Sequence, residues 1–168
     1  MTGKSGTVHP VDIRPAMVSD YPAICQLISS RDELFRVFPS GSWPFNIRQV
    51  HHLAEHRSDL TVITDNGEVI GFANLYDIQP QHWAFVGNVI IRASHRGKGI
   101  GERLLRYMLN IIFTKVDLPQ ARISVFEDNS AAFKLYTKLG FTIYDREERI
   151  DRSKKKVILL HMRLGKPS

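Results

Sequence analysis

The chain has 168 residues, with 23 Lys and Arg against 17 Asp and Glu for a formal net charge of +6. At roughly 150 residues per domain this is one domain, and a composition of 43% hydrophobic and 24% charged residues excludes a disordered or low-complexity chain. The single cysteine, Cys25, excludes an intrachain disulfide framework and a cysteine-based zinc knuckle, while the basic balance suits an anionic partner: nucleic acid, anionic lipid or a phosphate-bearing ligand.

Residues 1–10, with Gly3, Ser5, Gly6, Thr7 and Pro10, are expected to form a flexible N-terminal arm ahead of a single domain over 11–168. No apolar segment approaches the ~20 residues that span a bilayer, and no signal-type segment follows the start, so a cytoplasmic protein with no membrane partner is expected. Residues 11–14 alternate as a strand. Ser19 and Asp20 supply an N-cap for a helix through Ala23, Ile24, Leu27 and Ile28. Pro and Gly mark a loop at 38–44, a second helix is predicted over 47–56, and Asp65-Asn66-Gly67 joins strands at 60–64 and 69–75 into a hairpin. A buried strand follows at 83–91. Ile100, Leu104, Leu105, Met108, Ile111 and Ile112 then make the apolar stripe of a long helix. A strand at 122–126, a helix capped near Asn129 and stopped by Gly140, and strands at 141–144 and 156–164 complete a mixed α/β domain.

The strand-to-helix junction carries the chemistry. Gly97, Gly99 and Gly101 follow Val89, Ile90 and Ile91 and open the long helix. Glycine lets a ligand approach the backbone, and unpaired first-turn N–H groups with the helix dipole suit a pyrophosphate. The spacing lacks the Lys-Ser/Thr of a P-loop and the third glycine of a dinucleotide fingerprint, but fits R-x-x-G-x-G at Arg96, Gly99 and Gly101. On this pattern alone, a glycine-rich turn with no ligand is an equal alternative.

A second segment decides between them: Asn129, Ala132, Leu135, Tyr136, Leu139, Gly140 and Phe141 are spaced N-x-x-A-x-x-L-Y-x-x-L-G-F. Together the two segments resemble the GNAT superfamily of acyl-CoA-dependent N-acyltransferases, and the likeness extends over about residues 11–164. That resemblance implies a seven-stranded mixed sheet flanked by about four helices, with a bulge that splays the fourth and fifth strands. It implies acetyl-CoA as acyl donor, held by backbone groups of Arg96, Gly97, Lys98, Gly99, Ile100 and Gly101. Val89, Ile90 and Ile91 are implied to pair with the pantetheine arm, Asn129, Ala132 and Phe133 to touch its far side, and Tyr136 to sit by the thioester sulfur as the catalytic acid. The implied activity is N-acetyl transfer to a primary amine of a small molecule or peptide, by direct attack in a ternary complex. A non-catalytic acyl-CoA-binding regulatory module on the same fold is the alternative, and donors longer than acetyl stay open.

The general base is not legible. The strand position at which some relatives carry a glutamate is Ser124, and Asp77, His82, Asn88 and Glu127 are weak candidates. His95 reads as a flank of the phosphate loop. His51, His52 and His56 lack a third clustered ligand in sequence and read as surface residues, with no metal expected. Trp43 or Phe45 contacting the acceptor competes with a slightly favoured reading in which Phe35, Phe38, Trp43 and Phe45 staple their loop to the core. The basic run Arg152-Ser153-Lys154-Lys155-Lys156 reads as an exposed hairpin turn rather than a nucleic-acid site, and a homodimer stays open.

Overall fold

In the computed structural model, which describes residues 10–168, the Asn66-Gly67 turn organises the centre of the sheet. Both residues have positive φ, 51° and 82°, as a two-residue hairpin turn matched to strand twist requires. They join β2 (Ser58–Asp65) to β3 (Glu68–Gln79). Outside this pair, β1 (Val11–Pro15) lies antiparallel to β2, and β4 (Trp83–Ile91) lies antiparallel to β3. The helix α4 (Ile100–Asn110) carries the chain over to β5 (Gln120–Phe126), which is parallel to β4. Finally β7 (Lys156–Gly165) inserts between β5 and β6 (Thr142–Ile150), antiparallel to both. The result is the seven-stranded mixed sheet implied by the resemblance, in the order β1-β2-β3-β4-β5-β7-β6. Of the expected arm over 1–10, only Pro10 lies within the described residues; its carbonyl accepts a hydrogen bond from the Asn66 N–H.

Successive residues of β2 and β3 feed different cores. Val62, Val69 and Phe72 pack with α1 (Tyr21–Cys25), α2 (Arg31–Val37) and α3 (Ile47–His56). Ile63, Ile70 and Ala73 pack with α4 and with Tyr136 of α5 (Ser130–Lys138). Since successive strand side chains point to opposite faces, the sheet carries a hydrophobic core on each side. Leu104, Leu105 and Met108 are fully buried, as the helical stripe predicted.

Three elements depart from the sequence expectation. Residues 23–28 do not form one helix: α1 stops at Cys25 and α2 begins afresh, giving five α-helices among the described residues rather than about four. Ser30 causes the restart. Its Oγ accepts from Glu33 N at 3.2 Å, and the Glu33 carboxylate accepts from Ser29 N and Oγ, so the cap defines a new N-terminus. The aromatic loop therefore begins only after Val37. Second, β6 runs on to Ile150, because an edge strand keeps charged residues such as Asp145, Arg146, Glu147 and Glu148. Third, the α4 stripe ends in a π-helical turn, Ile111–Lys115, that still buries Ile111 and Ile112. The basic run at 152–156 does form a hairpin turn, closed by Asp151 Oδ1 accepting from Ser153 and Lys155 N–H groups.

Asp20 ties the first strand to the first helix. Its buried carboxylate accepts from Arg14 Nη1 at 2.7 Å, Arg14 Nη2 at 3.0 Å and Met17 N at 2.7 Å. The Arg14 hydrogen bonds hold this carboxyl below the ordinary carboxylate range. A native pKa below the unfolded one gives stability that is fully present above the unfolded pKa and lost as pH falls through the native value. Asp20→Asn is expected to lower the urea-unfolding free energy by about 1–2 kcal/mol at neutral pH, part of the pair being solvent-screened, and by less at about pH 3. An equal loss at both pH values would count against the ion-pair account.

Candidate active site

The site originates in a backbone irregularity. Phe72 pairs with Ile90 and Asn74 with Gly87, so Asn88 and Val89 of β4 together oppose Ala73 of β3. Two residues against one is a β-bulge, and Asn88 takes a φ of 48° to make it. On the other side of β4, pairing to β5 covers only Trp83, Ala84, Phe85 and Val86. Past Val86 the two strands part. The gap opens into two cavities, of about 690 and 370 Å³, that share Val89, Asn129 and Tyr136 in their walls.

The larger cleft lies between the glycine turn and α5. One wall carries Val89, Ile90, Ile91, Arg96, Gly97, Gly99 and Gly101, the other Asn129, Ala132, Leu135 and Tyr136. Gly99 is the N-cap of α4 with a φ of 78°, and no side chain caps the helix. The first helical hydrogen bond runs from Arg103 N to Gly99 O, so the N–H groups of Ile100, Gly101 and Glu102 have no partner on the helix. The Asn129 side chain caps α5 by accepting from Ala132 N. Three of the expected residues contribute no side chain to the cleft wall, which leaves the backbone contacts expected of Lys98 and Ile100 untouched. The Ile100 side chain is buried in the core and Phe133 packs against it, and neither lines the cleft. Lys98 lies outside the lining too. Arg96 does line it, but its guanidinium is engaged by Glu33 Oε1 at 2.5 Å and the Ile91 carbonyl at 2.9 Å. What the turn offers directly is backbone. His95 flanks it, its Nε2 lying 3.2 Å from Asp65 Oδ2.

The smaller cavity is walled by Tyr76, Phe85, Ser124, Phe126, His161 and Tyr136, among others. Ser124 Oγ lies 2.7 Å from His161 Nδ1, and His161 Nε2 lies 2.9 Å from Glu147 Oε2. Arg149 and then His161 hold the Glu147 carboxyl below its ordinary range. Tyr136 is 6% exposed, and burial pushes its phenol well above the ordinary value.

The sequence profile described as "Acetyltransferase (GNAT) family" matches residues 24–141, most of the chain. The chain belongs to that family. As a GNAT N-acetyltransferase it is an enzyme that moves an acetyl group to an amine, which sets aside the non-catalytic reading. It is 26% identical to spermidine N(1)-acetyltransferase of Escherichia coli (strain K12), over 82% of this chain and 75% of that protein. It is 27% identical to the L-amino acid N-acetyltransferase AaaT of the same strain, over 78% and 82% respectively. Among solved structures, yncA of Salmonella typhimurium, determined with its cofactor acetyl-CoA, superposes with a TM-score of 0.73 at 19% identity, covering 95% of each chain. Among the described residues, no helix is long and apolar enough to cross a membrane.

Within this GNAT enzyme the four base candidates fare unequally. Asp77 lines the smaller cavity but already accepts from Gln79 Nε2 and Trp83 Nε1. Asn88 is buried and donates to the Val37 carbonyl. His82 and Glu127 are exposed and line neither cavity. Trp43 and Phe45 line neither one; the packing supports the stapled-loop alternative, with Phe45 edge-on to Phe38 and Phe35 stacked on Phe126. His52 and His56 are exposed as read, though Glu55 brings a third ligand-type atom within 4.8 Å of theirs. The residues sequence reasoning missed are His161, Glu147, Arg57 and the α2 residues Glu33, Arg36 and Val37. The first three come together only through strand pairing and the end of α3, and α2 itself was not foreseen. One signal was present: Ser124, at the strand position of some relatives' glutamate, asks what neighbour replaces a carboxylate.

Proposed function

We propose that acetyl-CoA binds in the larger cleft, that a small-molecule primary amine enters the smaller cavity, and that the amine attacks the thioester directly in a ternary complex. One observation carries this reading: Arg36, Val37, Val89, Asn129 and Tyr136 line both cavities, so ligands in the two would lie against the same residues. The unpaired N–H groups at the start of α4 hold the pyrophosphate, with the helix dipole favouring its charge. Backbone groups of β4 beyond Val86, without a strand partner on the β5 side, take the pantetheine arm and stabilise the oxyanion. A cytoplasmic setting fits an acyl donor of this kind and a lone, unpaired Cys25.

Attack needs a neutral amine. The Ser124–His161–Glu147 chain accepts its proton: the amine gives a proton to Ser124 Oγ, whose own proton passes to His161 Nδ1. The Nε2–H tautomer satisfies both histidine contacts, and the Glu147 carboxylate balances the imidazolium charge. Thiol release from acetyl-CoA over a panel of amines, with a thermal shift by acetyl-CoA alone, tests the whole reading. Stabilisation and amine-dependent release are expected; neither one occurring would end it. His161→Asn is expected to lower kcat/KM about tenfold near neutral pH. The deficit should shrink as pH rises toward the amine's own pKa, where the acceptor arrives already neutral. A deficit independent of pH would remove His161 from the proton path.

A further inference from the structure

Arg57, the C-cap that follows α3, turns its guanidinium into the wall of the smaller cavity. Nη1 donates to Asn74 Oδ1 at 3.1 Å and to Asn88 Oδ1 at 2.9 Å, and the guanidinium carbon lies 4.1 Å from the Tyr76 ring centroid. Gly87 on β4 admits it: a Cβ there would lie 2.4 Å from Nη1. Both amide oxygens thus fix one edge of the guanidinium. The N–H groups on Nε and Nη2 have no protein acceptor among the described residues, yet they are not sealed away from solvent. Among the described residues no carboxylate pairs with this arginine, and burial pushes its pKa down. A positioned, partly desolvated fork with free donors is a receptor for a planar anion.

The surrounding charge points the same way. The smaller cavity is lined by Arg36, Arg57, Arg149 and His161 against one acid, Asp77, whose oxygens are already engaged. Arg36 is paired with Asp128, and Arg149 and His161 with Glu147, so among these lining cations Arg57 is the one with no carboxylate partner among the described residues. An adjoining cavity of about 560 Å³ shares Arg57, Tyr76 and Asp77, and adds Arg48, His52 and His56. A polycationic acceptor finds no free carboxylate in either lining. An amino-carboxylate meets an unfilled guanidinium one hydrogen bond from Asn88, and Asn88 is the neighbour of Val89, where the cavities join.

We infer that Arg57 is a carboxylate-binding subsite and that the acceptor is an α-amino acid or a close amino-carboxylate analogue, its carboxylate on the Arg57 fork and its amine directed toward Val89 and Tyr136. This rests on the reading that the acceptor enters the smaller cavity, and it narrows the acceptor class within that reading.

The test compares L-methionine, L-phenylalanine and L-glutamate with their α-amides and with spermidine at about pH 9.5, each kcat/KM expressed per neutral amine, because an alkyl amine with a pKa of about 10.4 is still mostly protonated there while the α-amines are less so. For the best acceptor, kcat/KM for the acid is expected to exceed that for its amide by about 10- to 50-fold, mostly through KM, as for losing a charge-assisted hydrogen bond. In Arg57→Gln the acid and amide should converge to within about threefold, while acetyl-CoA still raises the melting temperature as it does in the wild type. Arg57→Lys, which keeps the charge without the fork, should fall between them. An amide or spermidine matching the best acid in the wild-type enzyme overturns the inference. So does an acid preference that survives Arg57→Gln. These results leave amine acetylation itself intact, whereas no acetylation of any amine defeats the proposed function instead. In that event calorimetry of N-acetyl-L-methionine binding to the CoA-loaded protein still decides: binding lost in Arg57→Gln supports the subsite, and no binding to wild type overturns it.

Discussion

Tyr136→Phe is expected to lower kcat about 10²-fold while changing acetyl-CoA binding by no more than about twofold. The collapse of the tetrahedral adduct expels the coenzyme as a thiolate, and a free thiol has a pKa of about 8.5, so a proton or a strong hydrogen bond at sulfur lowers the barrier near neutral pH. A buried phenol is suited to that task. Tyr136 lines both cavities, is 6% exposed, and is backed by Phe141, whose ring centroid is 6.2 Å away. Burial raises its pKa above the ordinary phenol value, so it stays protonated, and able to donate, throughout the working pH range. The sign follows: kcat should show no descending limb from loss of this proton up to about pH 10. Phenylalanine keeps the ring and its packing, so melting temperature and donor affinity are controls. Single-turnover thiol release measures the effect on the chemical step itself. An unchanged single-turnover rate would show that the hydroxyl does not act on the leaving group.

Much of this arrangement was legible along the chain, for physical reasons that can be named. The glycine turn is local: Gly99 at φ 78° and the uncapped start of α4 are properties of a few consecutive residues, so spacing alone located them. Tyr136 sits in a helix whose cap, Asn129, and stop, Gly140 at φ 102°, are local as well. The hairpin at Asn66-Gly67 is of the same kind. The acceptor side is different. His161 reaches Ser124 because β7 pairs with β5, and Glu147 reaches His161 because β6 pairs with β7. Nothing in the periodicity of either strand announces that register. Arg57 joins Asn74 and Asn88 only because a bulge in β4 turns Asn88 to a φ of 48°. A bulge leaves no dependable mark in a hydrophobic pattern. The missed α2 belongs between these cases: Ser30 and Glu33 are a local capping signal, but the apolar run ending at Leu27 and Ile28 outweighed it.

The glycine turn yields a result in which stability and binding move in opposite directions. Gly101 is the second helical residue of α4, and its φ lies outside the left-handed region. A Cβ there meets Leu135 Cδ2 at 3.4 Å and Ile91 Cγ1 at 3.7 Å, ordinary contact distances. Gly101→Ala therefore removes glycine's helix penalty, worth up to about 1 kcal/mol, without a clash, and the unliganded protein should become slightly more stable. The same methyl points into the cleft where a pyrophosphate must approach the backbone, and acetyl-CoA affinity should fall about tenfold or more, as when about 1.4 kcal/mol is lost. Gly101→Val extends the obstruction and should abolish measurable binding, a loss of about 10³-fold or more. Gly99→Val differs in kind. Nothing lies within 4 Å of a Cβ at Gly99, but its φ of 78° is one that a β-branched residue adopts only at a cost of about 1–3 kcal/mol. That variant should lose both stability and binding. Calorimetric titration with acetyl-CoA, paired with thermal unfolding of the unliganded proteins, separates the two positions. Tight binding retained by Gly101→Val would count against a pyrophosphate held at the Gly101 backbone.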